Sequence, residues 1–251
     1  VSSTTSGQNR PGSSASLTER RKAETRMDIA RAAAGLFVSR GLKATRAEDI
    51  AQAAGVAPRT FYRYFASKEE AVAPLYAAGA QRWTDAVREA PAGLDVPQAL
   101  EHAVRHTLLP GAGAGAASGA GVSAASWEWA RTLIRLADSS PALRKVWAEV
   151  CQASEQTLGE VLAERAGAGA GDGVSERPGG SRADGDDNVA RGAKAEDGAG
   201  QRFLAAVASA AVRTAVQAWA SGDALSGGER GPAALALRNL EALKGFDWRL
   251  R

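Results

Sequence analysis

Three backbone breakers, Gly41, Gly55 and Pro58, cut the chain before Phe65 into one long helical segment and two very short ones. From about Arg20 to Arg40 the apolar residues Ile29, Ala33, Leu36 and Phe37 line one face of a helix. Gly41 ends it, as glycine does just past a helix C-terminus. Thr45-Arg46-Ala47-Glu48 has the Thr-x-x-Glu form of a capping box and predicts a second helix of about nine residues, with Ile50, Ala51 and Ala54 inward. Gly55-Val56 makes a tight turn, and Pro58, tolerated at a first helical position, opens a third helix to Phe65. Helices this short do not stand alone in water. They must be held by packing on the long helix, and two short helices joined through a glycine turn are a helix-turn-helix.

The remainder is helical as well. Val72, Leu75, Tyr76, Gly79, Trp83 and Val87 form a stripe that ends at Pro91, and further helices are expected at about 96–109, 122–137, 141–165, 200–221 and 232–244. No convincing run alternates or is β-branched, so the expected fold class is all-α. Two stretches, 111–121 and 166–200, hold 15 of the 28 glycines. The first is expected to be a loop and the second a disordered insertion. Residues 1–18, almost free of large apolar groups, are expected to be a flexible arm. The expected domains are therefore the arm at 1–18, the helix-turn-helix domain at 19–68, and a helical domain at 69–251.

Charge divides at the same place. Residues 1–68 carry 12 Lys and Arg against 5 Asp and Glu, whereas 69–251 carry 19 against 23. The overall +3 thus hides +7 in front of −4. The preponderance of Arg over Lys, 25 to 6, reflects codon bias in a GC-rich source but does not explain why positive charge collects at one end. A basic end on an acidic body suits a polyanion, because Lys and Arg release counterions from phosphates. No run of about 18 apolar residues stands out as a membrane span, and the start lacks the apolar core of a signal peptide. The single Cys151 precludes an intramolecular disulfide. A cytoplasmic location is expected.

In the third helix, Phe61 and Phe65 fall on a core face, while Arg59, Tyr62 and Arg63 point away. Tyr62 and Tyr64 suit an amphipathic role, ring against protein and hydroxyl toward phosphate. The run Thr45-Arg46-Ala47-Glu48-Asp49-Ile50-Ala51-Gln52-Ala53-Ala54-Gly55-Val56-Ala57-Pro58-Arg59-Thr60-Phe61-Tyr62-Arg63-Tyr64-Phe65-Ala66-Ser67-Lys68-Glu69-Glu70-Ala71 closely resembles the helix-turn-helix signature of the TetR-type transcriptional regulators. The resemblance covers roughly 24–72. It departs at Ala57, where a Ser or Thr cap is usual, and at Arg46, where Thr or Ser is common.

The resemblance implies a ligand-responsive DNA-binding regulator, most simply a homodimeric repressor released from a palindromic operator by a small, largely apolar or aromatic effector. Arg59, Thr60 and Arg63 would reach base edges. Arg46, Tyr62, Tyr64 and Lys68 would hold phosphates, with Arg20, Arg21 and Lys22 adding contacts from the arm. An activator, a sequence-tolerant architectural DNA binder, or a helical binding protein or enzyme with an ancillary front domain are the alternatives. The resemblance also implies that the last two long helices form a four-helix interface with a twin subunit. The stripe Leu204, Val207, Ala208, Ala211, Ala215 and Trp219, and the leucines at 237, 240 and 243, suit that role or an intramolecular core.

Trp83, Trp127, Trp129 and Trp147 fall in segments that would line the family's pocket, and Trp127 and Trp129 project about 200° apart, so that one of them can face a cavity. His102 and His106 are expected at the surface or the pocket; as an i,i+4 pair they have no third ligand placed by sequence, so no metal and no cofactor are expected. Cys151 lies on or beside an apolar helix face as a buried, inert thiol. Gly-Ala repeats follow no strand and open no phosphate-binding helix, and no nucleophile with a base appears. No enzymatic activity is expected.

Overall fold

The computed structural model describes residues 16–109, 124–170 and 186–248. All regular structure among them is helical and falls in two compact units, which divide between Ala71 and Val72. The first contains α1 (Leu17–Arg40), α2 (Ala47–Ala53) and α3 (Pro58–Tyr64). The second contains α4 (Ala73–Arg88), α5 (Val96–Leu108), α6 (Ala124–Ser139), α7 (Pro141–Ala170), α8 (Asp186–Ser221) and α9 (Pro232–Ala242).

In the first unit Ile29, Ala30, Ala33, Ala34 and Phe37 of α1, Ile50 and Ala51 of α2, and Phe61 and Phe65 are buried. Small alanines let the helices approach while the aromatics fill the space between them. Helix α1 starts earlier than its apolar stripe, because the Ser16 hydroxyl accepts from the Glu19 N–H and caps it. Arg20, Arg21 and Lys22 are therefore exposed residues on a helix rather than on an arm, of which 1–15 lie outside the described residues. The cap of α2 also shifts by one. Thr45 is buried and donates to the Gly41 and Leu36 carbonyls at 2.9 and 3.4 Å, so Asp49 instead accepts from the Arg46 N–H at 2.9 Å. Gly55, at φ 67°, takes the left-handed turn between α2 and α3.

In the second unit Leu100, Ala103 and Val104 of α5 pack with Trp83 and Val87 of α4, Leu158, Val161 and Leu162 of α7, and the buried stripe of α8. Arg165 of α7 holds the loop after α4, donating to the Ala90, Pro91 and Leu94 carbonyls at 2.7, 3.0 and 3.2 Å. Such bonds satisfy carbonyls that a helix end leaves unpaired. A smaller cluster joins Trp127 and Ile134 of α6 to Trp219 and Ala220 of α8.

Several expectations change here. Leu204, Ala208, Ala211, Ala215 and Trp219 are buried within the chain, as is Leu240, so these positions take the intramolecular-core role, one of the two that the stripe suits, while Val207, Leu237 and Leu243 are half-buried. The segment Gly198–Ser221 is long and apolar enough to cross a membrane by length and composition, with mean hydropathy 1.3. Burial of its stripe inside the unit is a sufficient reason for that composition. Helices α7 and α8 reach into the glycine-rich stretch at 166–170 and 186–200, while 171–185 and the loop expected at 111–121 lie outside the described residues.

Candidate nucleic-acid interface and effector region

Helix α3 has one face in the core of the first unit and the other in solvent. Phe61 and Phe65 are buried, with ring centroids 5.8 Å apart, and Arg26 of α1 covers the Phe65 ring at 5.0 Å. At about 100° per residue, Arg59, Tyr62 and Arg63 then project together from the opposite side. All three are exposed, and Thr60 and Tyr64 flank them half-buried. Ala57 offers no capping side chain, yet its carbonyl accepts from the Thr60 and Phe61 N–H groups at 2.8 and 3.1 Å, and Pro58 presets the first turn. Arg46 stands exposed at the start of α2.

Two residues of this face behave differently from the sequence expectation. The Lys68 ammonium donates to the Leu42 and Thr45 carbonyls at 2.7 and 2.8 Å. Two of its three N–H groups are committed to the loop between α1 and α2, so Lys68 also fastens the unit together. Tyr62 is 53% exposed, but its hydroxyl donates to Glu48 of α2 at 3.2 Å. Loss of water contact and then the Glu48 carboxylate, by charge and by hydrogen bond, raise the phenol above its ordinary pKa. It stays protonated at neutral pH, with its proton turned to Glu48. Neither contact is legible locally, since Lys68 reaches back more than twenty residues.

In the second unit the residues expected around a pocket separate. Trp83 is part of the larger core. His102 is exposed and His106 half-buried, their rings nearly parallel at 6.1 Å, because α5 turns Leu100, Ala103 and Val104 inward and leaves the histidines outside. Trp129 is half-buried. Trp127, by contrast, belongs to the smaller cluster, against which the half-buried Trp147 packs. Trp127 meets Trp219 edge to face at 5.4 Å, and Trp147 meets Tyr76 the same way at 4.9 Å. Tyr76 donates to the Leu133 carbonyl at 2.9 Å, and burial, then the charge of Asp138, pushes its phenol pKa well up. Cys151 is half-buried; burial raises its thiol pKa, opposed by the charge of and a hydrogen bond with Arg213.

Three contributors to this region escaped the sequence reading. Trp219 donates to the Ala224 and Leu225 carbonyls at 3.0 and 3.3 Å, and the Arg131 guanidinium lies 4.3 Å over its ring. Arg131 also donates to the Ala224 carbonyl. One turn on, Arg135 donates to the carbonyls of Ala220 and Gly222 at 2.5 and 2.7 Å. The signal available in the sequence was an arginine pair at i,i+4 on an otherwise amphipathic helix. A separate shallow cavity of about 140 Å³ lies between α4 and α7, against Ala77, Ala80, Thr84, Val150 and Ala153, and includes none of the expected pocket residues.

Residues 29–73 match the model of the bacterial regulatory proteins of the tetR family. The HTH-type transcriptional regulator TcmR of Streptomyces glaucescens is 32% identical over 165 residues, 66% of this chain and 69% of that protein. Among solved structures, a TetR-family transcriptional regulator from Mesorhizobium loti MAFF303099 is similar at 17% identity and a TM-score of 0.48, over 90% of this chain and 97% of that one. FadR of Thermus thermophilus, a TetR-family repressor solved in complex with lauroyl-CoA, is similar at 24% identity and a TM-score of 0.44, over 87% and 93%. With its helix-turn-helix matched at fixed spacing and a curated relative at this identity and coverage, the chain belongs to the TetR family and is a DNA-binding transcriptional regulator, not an enzyme.

Proposed function

We propose that the protein is a homodimeric repressor that binds a palindromic operator and leaves it when a small, largely apolar or aromatic effector enters the second unit. The observation that carries the DNA reading is the exposed triad Arg59, Tyr62 and Arg63 on the free side of α3, behind which Phe61 and Phe65 anchor the helix. In this reading Arg59, Thr60 and Arg63 contact base edges, with arginine best matched to guanine. Arg46 and Tyr64 hold phosphates, with Tyr62 joining them as its hydroxyl turns from Glu48 to the DNA, and Arg20, Arg21 and Lys22 add contacts at the start of α1. Lys68 keeps the loop in place behind them.

A single reading helix of this length supports limited affinity, and a pair reads half-sites about 34 Å apart. Since the buried stripe of α8 is occupied, pairing falls to the outer faces of α8 and α9, where Phe203 is 51% exposed and Leu237 half-buried. Effector binding at a coupling of about 1–3 kcal/mol weakens operator binding some 5–150-fold. The protein works in the cytoplasm, beside the chromosome. Footprinting on the DNA flanking its own gene tests the reading: a palindromic protected site is expected, whereas equal affinity for that DNA and random sequence would overturn it.

A further inference from the structure

We propose that Glu48 is a specificity-determining residue of the DNA interface, its carboxylate accepting a hydrogen bond from the amino group of a cytosine in the major groove. This rests on the reading face assigned to α3 and extends that face to α2. Two acids open α2, and they act differently. Asp49 is half-buried and caps the helix, accepting from the Arg46 N–H at 2.9 Å. Glu48 is exposed, and the Tyr62 hydroxyl donates to it at 3.2 Å. Tyr62 projects with Arg59 and Arg63 from the free side of α3, its ring edge-on to the buried Phe61 at 5.4 Å. The Glu48 carboxylate therefore lies one hydrogen bond from the reading face. No lysine or arginine among the described residues forms an ion pair with it.

A carboxylate in this place has few compatible partners on DNA. Phosphates repel it, and guanine and thymine show it only acceptors in the major groove. The donors there are the amino groups of adenine and cytosine, and adenine sets its own next to the acceptor N7, which a carboxylate opposes. Cytosine N4 has no such neighbour on its own base, and it is the donor that Glu and Asp match. When Tyr62 turns its hydroxyl to a phosphate, Glu48 loses its donor. A cytosine at that point replaces it, whereas any other base leaves a negative charge unpaired against a polyanion. The same carboxylate thus strengthens the right contact and weakens every wrong one.

The test is selection of binding sites from a random DNA library by the full-length protein, by Glu48→Gln and by Glu48→Ala, with affinities for an unselected duplex measured beside it. Wild type is expected to select cytosine at one position of each half-site. Glutamine pairs with adenine N6 and N7, so Glu48→Gln should move that position from cytosine toward adenine, and Glu48→Ala should leave it without preference. Both variants should bind the unselected duplex about fivefold more tightly, the worth of removing one of two like charges about 4 Å apart in water. A purely structural tie between α2 and α3 would instead weaken binding to selected and unselected DNA alike. That outcome, an unselected-duplex affinity that does not rise, or a cytosine preference that survives both variants would overturn the proposal. A wild-type consensus with no C·G pair in the half-site overturns it without any variant. Failure of the wild type to select any consensus would count against the operator reading itself, whereas a consensus that both variants share sinks this inference alone.

Discussion

The two units differ in how completely they satisfy their buried polar groups. In the first unit the buried Thr45 hydroxyl and the inward Lys68 ammonium both end on backbone carbonyls. In the second, four buried side-chain polar atoms lack partners among the described residues, on Trp127, Arg131, Trp147 and Ser209. A reading head must hold its helix in one orientation, which full satisfaction favours. The largest effect expected on this contrast comes from the head's core. Phe61→Ala should destabilise the first unit by about 3–5 kcal/mol, since it empties the space between α2 and α3. The loss should appear as an early transition in urea unfolding followed by helical circular dichroism, with operator binding lost alongside. A single unshifted transition would mean that α3 is held by something other than this anchor.

Next in size is Lys68. Lys68→Met keeps the stem, removes two charge-assisted bonds and leaves the Leu42 and Thr45 carbonyls short of a donor. A loss of about 1.5–3 kcal/mol is expected. Its fingerprint is a fall in stability with the salt dependence of DNA binding unchanged. A shallower salt slope with full stability would return Lys68 to the phosphate face. Arg59→Ala should do the reverse, leaving stability within about 0.5 kcal/mol while weakening operator binding by about 1–3 kcal/mol and relaxing specificity at one base position. Gel shifts against the operator and single-base variants check it. Arg46→Ala is expected to weaken binding uniformly across sequences and to reduce the slope of log K against log salt by about 0.9.

The contrast also shows where sequence stops informing. Periodicity and breakers were enough to place α1 to α3 and the exposed side of α3, because those signals are local and each residue's role follows from its neighbours. The cap of α2 shifted by one residue because Thr45 is drawn to Gly41 and Leu36, a tertiary pull that a four-residue motif cannot contain. A similar reason puts Lys68 on the phosphate face in the sequence reading and leaves the Trp219 stripe between a subunit interface and an intramolecular core. A lysine beside a reading helix and a tryptophan on a small-residue stripe have the composition of contact residues, and only their distant partners turn them inward. For the histidines of α5, expected at the surface or the pocket, the choice depended on which face of the helix α7 and α8 bury, and they lie off that face.

The smallest effect isolates the contrast best. Trp127 and Trp219 pack on each other, both nearly fully buried at 7% and 1% exposure, but only Trp219 uses its indole N–H. Changing either to Phe removes a similar volume, so the cavity contribution largely cancels between them. Trp219→Phe also takes a donor from the Ala224 and Leu225 carbonyls, whereas Trp127→Phe removes a group that was buried without a partner. Relief of that unpaired donor offsets part of the lost packing. Trp127→Phe should therefore fall within about 1 kcal/mol of wild type, and Trp219→Phe about 1–2 kcal/mol below it. Urea midpoints at constant m-value measure the difference. Equal losses in the two variants would mean that the Trp127 N–H is satisfied in solution, and the second unit would then follow the same rule as the first.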